Sequence, residues 1–124
     1  HELSLRGGFT PDPYRLRVMA GGPDAVPPAF GSGCSGFTVP ATPNVRLDFE
    51  AGGFLSLYVG ATSAIDTALV VRTPAGDYLC NDDSDGSDPG LEVAGPESGE
   101  YRIWVTAPRP VEEPATLRFS ELGL

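Results

Sequence analysis

The chain of 124 residues contains no lysine, a single histidine, two cysteines and no apolar run long enough to cross a membrane. All eight cations are arginines, which excludes Schiff-base chemistry and Lys–Asn isopeptide crosslinks. Because the only histidine is His1, a serine–histidine triad and a copper site with two histidines are also excluded. No Gly-x-Ser-x-Gly motif is present. These absences argue against an enzyme.

Acidic residues outnumber basic ones, and the net charge is −9 with a pI near 4.3. A protein of this charge is repelled by nucleic acids and by anionic membrane surfaces, so we expect neither as a partner and no membrane insertion. The length suits one domain with a core of its own.

Hydrophobic and polar residues alternate along several short segments, which is the period of a half-buried strand. The clearest segments are 14–19, 45–50 and 99–106. Sixteen glycines and thirteen prolines separate such segments and favour tight turns, and no helical period longer than a turn is found. The sequence therefore predicts an all-β antiparallel sandwich of eight or nine short strands over residues 14–124, preceded by an extension at 1–13.

The segment from Cys80 to Glu92 is the most informative one for function. Its oxygen-bearing side chains lie within twelve positions: Asn81, Asp82, Asp83, Asp85, Asp88 and Glu92. Grouped carboxylates repel one another unless a cation neutralises them, and Ca²⁺ accepts about six to eight oxygen ligands. The spacing matches an EF-hand loop with Gly86 at its turn, but Pro89-Gly90 and the preceding residues oppose flanking helices. We predict a calcium loop between strands; the alternative is a solvated acidic turn.

Cys34 and Cys80 match no zinc-ligand spacing. An even pair of cysteines in an acidic, lysine-free domain indicates a disulfide formed in an oxidising compartment, with two buried free thiols as the alternative. The start at His1, without an initiator Met, fits removal of a signal peptide. Both observations lead us to expect a secreted protein, located outside the cell or at its surface.

Four segments resemble, in order, the bacterial pre-peptidase C-terminal domain family: 66–70, 73–76, 79–83 and 99–105. Four further segments are similar to a subgroup with a Gly-Phe-x-Pro-Asp-Pro start and a Cys-x-Asp-Asp loop: 8–13, 33–36, 80–83 and 120–122. The resemblance implies a secreted, jelly-roll-like β-sandwich, a Cys34–Cys80 bridge and a metal near the Asp82–Asp83 pair. It does not imply one activity.

Asp66 precedes an apolar stretch, and in the resembling family the equivalent residue approaches the Asp-Asp loop. The resemblance thus implies Asp66 as a further calcium ligand, whereas the alternative is a turn cap. Adjacent residues of an extended strand point to opposite faces, so Asp82 and Asp83 share one ion only if the backbone turns or one offers its carbonyl. Trp104 either stacks on sugars from a sheet face or is a buried strand residue.

We predict from these observations a non-catalytic, calcium-binding β-sandwich with a structural role outside the cell. It would self-associate into a filament or matrix, as a homo-oligomer or polymer, with residues 1–13 as a possible donor strand. The alternative is an accessory module that binds polysaccharide or a protein matrix.

Overall fold

Eleven strands form two packed sheets and one small ribbon in the computed structural model, which describes residues 1–31, 33–82 and 88–123. In chain order the strands are β1 (Glu2–Arg6), β2 (Tyr14–Gly21), β3 (Asp24–Ala25), β4 (Phe37–Thr38), β5 (Val45–Glu50), β6 (Leu57–Ser63), β7 (Ala68–Arg72), β8 (Tyr78–Asn81), β9 (Gly90–Val93), β10 (Gly99–Thr106) and β11 (Glu112–Ser120). A single turn of 3-10 helix, Pro28–Phe30, lies between β3 and β4. Among the described residues, no helix is long and apolar enough to cross a membrane.

The prediction of an all-β sandwich is confirmed. A five-stranded sheet in the order β1-β5-β10-β7-β8 faces a four-stranded sheet in the order β2-β11-β6-β9, and β3 pairs with β4. The predicted strand count of eight or nine is too low. The two additional strands are β1, which lies in the predicted extension, and β3, whose two residues are too few for a period to show in sequence. The pairing of β1 with β5 is parallel rather than antiparallel.

The core lies between the two large sheets and is built from inward-facing positions of the alternating segments. On β5, Val45, Leu47 and Phe49 are buried while Asp48 and Glu50 are exposed. The central strands of both sheets supply most of the buried core side chains: Leu69, Val71, Tyr101, Ile103, Val105, Val59, Ala61, Leu117 and Phe119. The alternation that predicts the strands is thus also the division between core and surface.

The first thirteen residues contact the rest of the chain at several points. Leu3 and Leu5 of β1 pack against the core, and Phe9 is a buried member of it. The amide of Gly8 donates to Glu121 Oε1 at 2.6 Å, and the amide of Glu121 donates to Asp12 Oδ2 at 2.9 Å. Residues 7–13 are therefore held against the end of β11, while β1 lies at a sheet edge.

Candidate functional site

A disulfide joins Cys34, in the segment between the 3-10 turn and β4, to Cys80 on β8. The two Cα atoms are 5.2 Å apart, and no free cysteine remains. The predicted bridge is confirmed. It fastens the segment between β3 and β4 onto the outer face of the five-stranded sheet.

Three aromatic rings pack where this fastened segment meets the sheet. Phe30 stacks on Tyr78 with ring centroids 4.8 Å apart, and it lies 4.7 Å from the ring of Trp104. Trp104 is only 2% exposed. The alternative of a surface tryptophan that stacks on sugars is therefore wrong, because the segment that carries Phe30 covers it.

Beside the disulfide, two of the predicted ligands line one cavity of about 260 Å³. Asp66 comes from the turn before β7, and Asp82 follows the last residue of β8. Antiparallel pairing aligns Leu69 with Asn81, so the start of β7 and the end of β8 meet at the same edge. The register of two strands thus brings together carboxylates sixteen positions apart in sequence.

Thr67 also lines this cavity, and its hydroxyl is the most informative atom there. The residue is 2% exposed, and Oγ1 has no hydrogen-bond partner among the described residues. A buried hydroxyl without a partner is unfavourable by roughly 1–3 kcal/mol. Thr67 shares the cavity with Asp66 and Asp82, whose carboxylates are oxygen ligands of the kind that hard cations bind.

The opposite wall of the cavity is formed by close packing of the 33–36 segment on β10. Thr106 Oγ1 donates to the carbonyl of Ser35 at 2.9 Å. Gly36 has a φ of 101°, and a Cβ there would collide with Thr106 and the carbonyl of Ala107. Only glycine fits both the conformation and the space, so the Gly-Cys-x-Gly segment forms part of the cavity wall.

The other predicted ligands lie in different places. Asn81 Oδ1 accepts from the amide of Gly90 at 3.3 Å, which links the two ends of the acidic loop, and Asp88 lies at the far end of that loop. Glu92 on β9 accepts from the Ser56 hydroxyl at 2.7 Å and lines a separate cavity of about 400 Å³.

Asp83 and Asp85 lie outside the described residues. Within the described residues, no group of three or more metal-binding His, Cys, Asp or Glu side chains is found.

Arginines form a second polar feature on the open part of the five-stranded sheet. Arg102 of β10 pairs with Arg46 of β5 on one side and with Arg72 of β7 on the other. Arg102 Nε bonds Glu100 Oε1 at 2.7 Å. That hydrogen bond, with the charges of all three arginines, holds the pKa of Glu100 below its ordinary value despite the opposing effect of desolvation. Neither this row nor Thr67 was predicted, because a single sequence does not show the register between strands or the burial of a residue that lies outside a strand.

Comparison with known proteins identifies structures with a similar fold but does not assign the chain to a sequence family. No family model and no curated protein matches the chain. Among solved structures, the pre-peptidase C-terminal domain of a collagenase from Bacillus anthracis is similar with a TM-score of 0.58 and 9% identity, over 97% of this chain and 95% of that one. PliG from Aeromonas hydrophila, a periplasmic inhibitor of g-type lysozyme, is similar with a TM-score of 0.54 and 17% identity, over 96% of each chain. At these identities the likeness shows that the chain has the fold of a pre-peptidase C-terminal domain.

Proposed function

We propose that this chain is an extracellular, non-catalytic accessory β-domain whose acidic loop holds Ca²⁺ together with Asp66. The observation that carries the proposal is the cavity lined by Asp66, Asp82 and the unpartnered Thr67 hydroxyl. Asp66 and Asp82 are exposed carboxylates from two segments, and together with the buried hydroxyl they offer the oxygen ligands that Ca²⁺ accepts. The remaining loop acids, including Asp83, would complete its ligands.

A cation at this position would join the two sheets. The acidic loop leaves β8 of the five-stranded sheet and enters β9 of the four-stranded sheet. Bound Ca²⁺ supplies the positive charge that offsets the repulsion between carboxylates. Asp66 and Asp82 would hold the ion, and the Asn81–Gly90 hydrogen bond would keep the loop ends together. The expected benefit is stability of the fold rather than chemistry on a substrate.

The accessory and extracellular parts of the proposal rest on two further observations. The disulfide is a bond of oxidising compartments. The two similar structures are a domain of a collagenase and a periplasmic lysozyme inhibitor, so the fold accompanies or regulates hydrolases in those proteins. The sequence offers no histidine besides His1 to act as a base.

Thermal unfolding of metal-free protein, with Ca²⁺ and with a chelator, tests the calcium site. Ligand that binds only the folded state stabilises it by about 2.7 kcal/mol at a hundredfold excess over the dissociation constant. We expect Ca²⁺ to raise the melting midpoint, Asp66→Asn and Asp82→Asn to remove most of the increase, and Asp77→Asn at the β7–β8 turn to leave it intact. An equal midpoint in both conditions for the unmodified protein would reject the site.

A structural, self-associating role is the second candidate, and the position of β1 favours it. Among the described residues, this edge strand pairs with β5 alone, which leaves its outer side open to strand addition. Deletion of residues 1–6 tests the role better than deletion of 1–13, because Phe9 and Asp12 contribute to packing and hydrogen bonding.

Sedimentation at high concentration with Ca²⁺ provides the measurement for this second role. We expect the intact chain to assemble and the chain lacking residues 1–6 to remain a folded monomer. Assembly that persists after the deletion would exclude β1 as the strand that forms the contact between copies. An intact chain that stays monomeric would leave the accessory domain as the proposal.

A further inference from the structure

The Cys34–Cys80 disulfide connects two walls of the cavity that the predicted calcium ligands line. Cys34 is directly followed by Ser35 and Gly36, which form one wall, and Cys80 precedes Asp82 by two positions. The bridge holds the Cα atoms of the two cysteines 5.2 Å apart. One covalent bond therefore joins the segment that closes the cavity to the strand that leads into one of its carboxylates.

The wall segment, residues 34–37, is fixed at both of its ends. At one end, Phe37 and Ala107 exchange backbone hydrogen bonds of 2.8 and 3.0 Å. At the other end, the bridge joins Cys34 to β8. Without the bridge, contact of this part of the chain with β8 would depend on the stacking of Phe30 on Tyr78. The bridge thus fixes the distance between the wall segment and the end of β8.

The packing under the covering loop contains one unfavourable group. Trp104 is 2% exposed, and its Nε1 has no hydrogen-bond partner among the described residues. A buried donor without a partner opposes closure, because the same N–H group binds water when the loop moves away. Burial of the aromatic rings favours closure. The bridge adds a covalent restraint to a cover whose own packing is not fully satisfied.

We propose that the Cys34–Cys80 bridge positions the walls of this cavity and thereby sets its affinity for Ca²⁺. This inference deepens the calcium site proposed above and rests on it. A site whose oxygen ligands are already held in place binds its ion without the entropy cost of ordering the segments that carry them. In the reduced protein the wall segment and the end of β8 move independently, so the ion has to order them and its affinity falls.

The coupling between bridge and ion is reciprocal, as linkage requires. If the bridge raises the affinity for Ca²⁺ by a given factor, bound Ca²⁺ makes the bridge harder to reduce by the same factor. A dithiol is the reductant that this step needs. The S–S bond breaks and two S–H bonds form, while the dithiol gives up two electrons and two protons and becomes a cyclic disulfide. A reducing environment would therefore weaken calcium binding, and Ca²⁺ would protect the bridge.

A bridge with a purely structural role would behave differently. A disulfide that acts only by restricting the unfolded chain raises the stability of the fold, but it leaves the affinity of the folded protein for Ca²⁺ unchanged. The quantity that separates the two roles is the dissociation constant of Ca²⁺ for the folded protein.

Titration calorimetry with Ca²⁺ measures this constant for four forms of the chain. They are the oxidised protein, the same protein reduced with dithiothreitol, the Cys34→Ser/Cys80→Ser variant and the control variant Leu57→Ala. Leu57 is fully buried at the start of β6, whereas Asp66 follows the other end of that strand. The control lowers stability, as loss of the bridge does, but leaves the cavity walls in place. Circular dichroism establishes that each form is folded, with sucrose added to all four where one of them unfolds.

We expect the reduced protein and the Cys34→Ser/Cys80→Ser variant to bind Ca²⁺ about tenfold more weakly than the oxidised protein, within the usual range of coupling between two sites. Leu57→Ala should bind as the oxidised protein does. Equal affinities of the oxidised, reduced and cysteine-free forms would overturn the proposal, and so would an equal loss in Leu57→Ala. Reduced and cysteine-free forms that stay unfolded even in sucrose would assign the bridge to the whole fold and overturn it as well.

The same titrations separate failure of this inference from failure of the proposed calcium site. Calcium that binds the oxidised and reduced forms equally rejects the coupling and leaves the site. Absence of calcium binding in the oxidised protein, with no effect of Ca²⁺ on its melting midpoint, rejects the site and the coupling together.

Discussion

The outer face of the five-stranded sheet has two halves that differ completely, although the same strands build both. In the covered half, Trp104 of β10 and Val70 of β7 are buried under Phe30. In the open half, two positions earlier on β10 and two later on β7, Arg102 and Arg72 are partly exposed. The two rows are about 7 Å apart along a strand.

A single loop accounts for the difference. The segment from β3 to β4, fastened by Cys34–Cys80, covers the row of Trp104 and Val70 and does not bury the row of arginines beside it. Where the loop covers the sheet, the side chains are buried and apolar residues are favoured. Beyond the loop the sheet is exposed to solvent, and arginine side chains there remain hydrated. The comparison teaches that a disulfide-anchored loop can turn part of a sheet surface into a second small core and leave the adjacent part exposed to solvent.

The largest effect is expected from removal of the ring at the centre of the covered half. Trp104→Ala should reduce the free energy of unfolding by about 3–5 kcal/mol, because the packing with Phe30 and Tyr78 is lost and a cavity is left. Trp104→Phe keeps a ring and should cost less. Urea unfolding monitored by circular dichroism measures both. A loss below about 1 kcal/mol for the alanine variant would mean that the covered half is not a core.

Removing the disulfide should have the next largest effect. Cys34→Ser with Cys80→Ser frees a loop of 46 residues, and we expect a loss of about 2–4 kcal/mol. Because Trp104 is the only tryptophan, its fluorescence reports directly on whether the covered half opens. We expect a red shift of emission in native buffer. Emission identical to that of the bridged protein would show that packing alone holds the loop.

In the open half the same kind of test should give almost no loss of stability. Arg72→Gln removes one of three like charges and should change the free energy of unfolding by less than ~0.5 kcal/mol, in the direction of greater stability. Urea unfolding beside Arg109→Gln as the control measures this. A loss above ~1 kcal/mol would indicate that Arg72 contributes to the stability of the fold.

The smallest effect concerns the protonation of Glu100. Its pKa lies below the ordinary value because of Arg102, so its contribution to stability is present above the pKa of an unfolded glutamate, about 4.3, and is lost as the pH falls through the folded value. Arg102→Gln should raise the pKa of Glu100 in an NMR titration, whereas Arg109→Gln should not. An unchanged titration of Glu100 in the Arg102 variant would contradict the assigned cause.

The sequence determined the parts of this protein that depend on local pattern. Alternation at 45–50 and 99–106 predicts strands and their buried faces, because side chains of a strand point to opposite sides in turn. The two cysteines and the composition predict the disulfide. The cluster of loop acids predicts a calcium site, which remains a prediction, and the resemblance extends it to Asp66.

Only the tertiary structure decided which distant residues meet. The register of β7 with β8 brings Asp66 beside Asp82, and the register of β5, β10 and β7 aligns the three arginines. The covering loop decided that Trp104 is core rather than surface. A strand segment specifies which side chains share a face, but the partner strand, the register and the loop above it follow from packing of the whole chain, and these contacts carry no local signal.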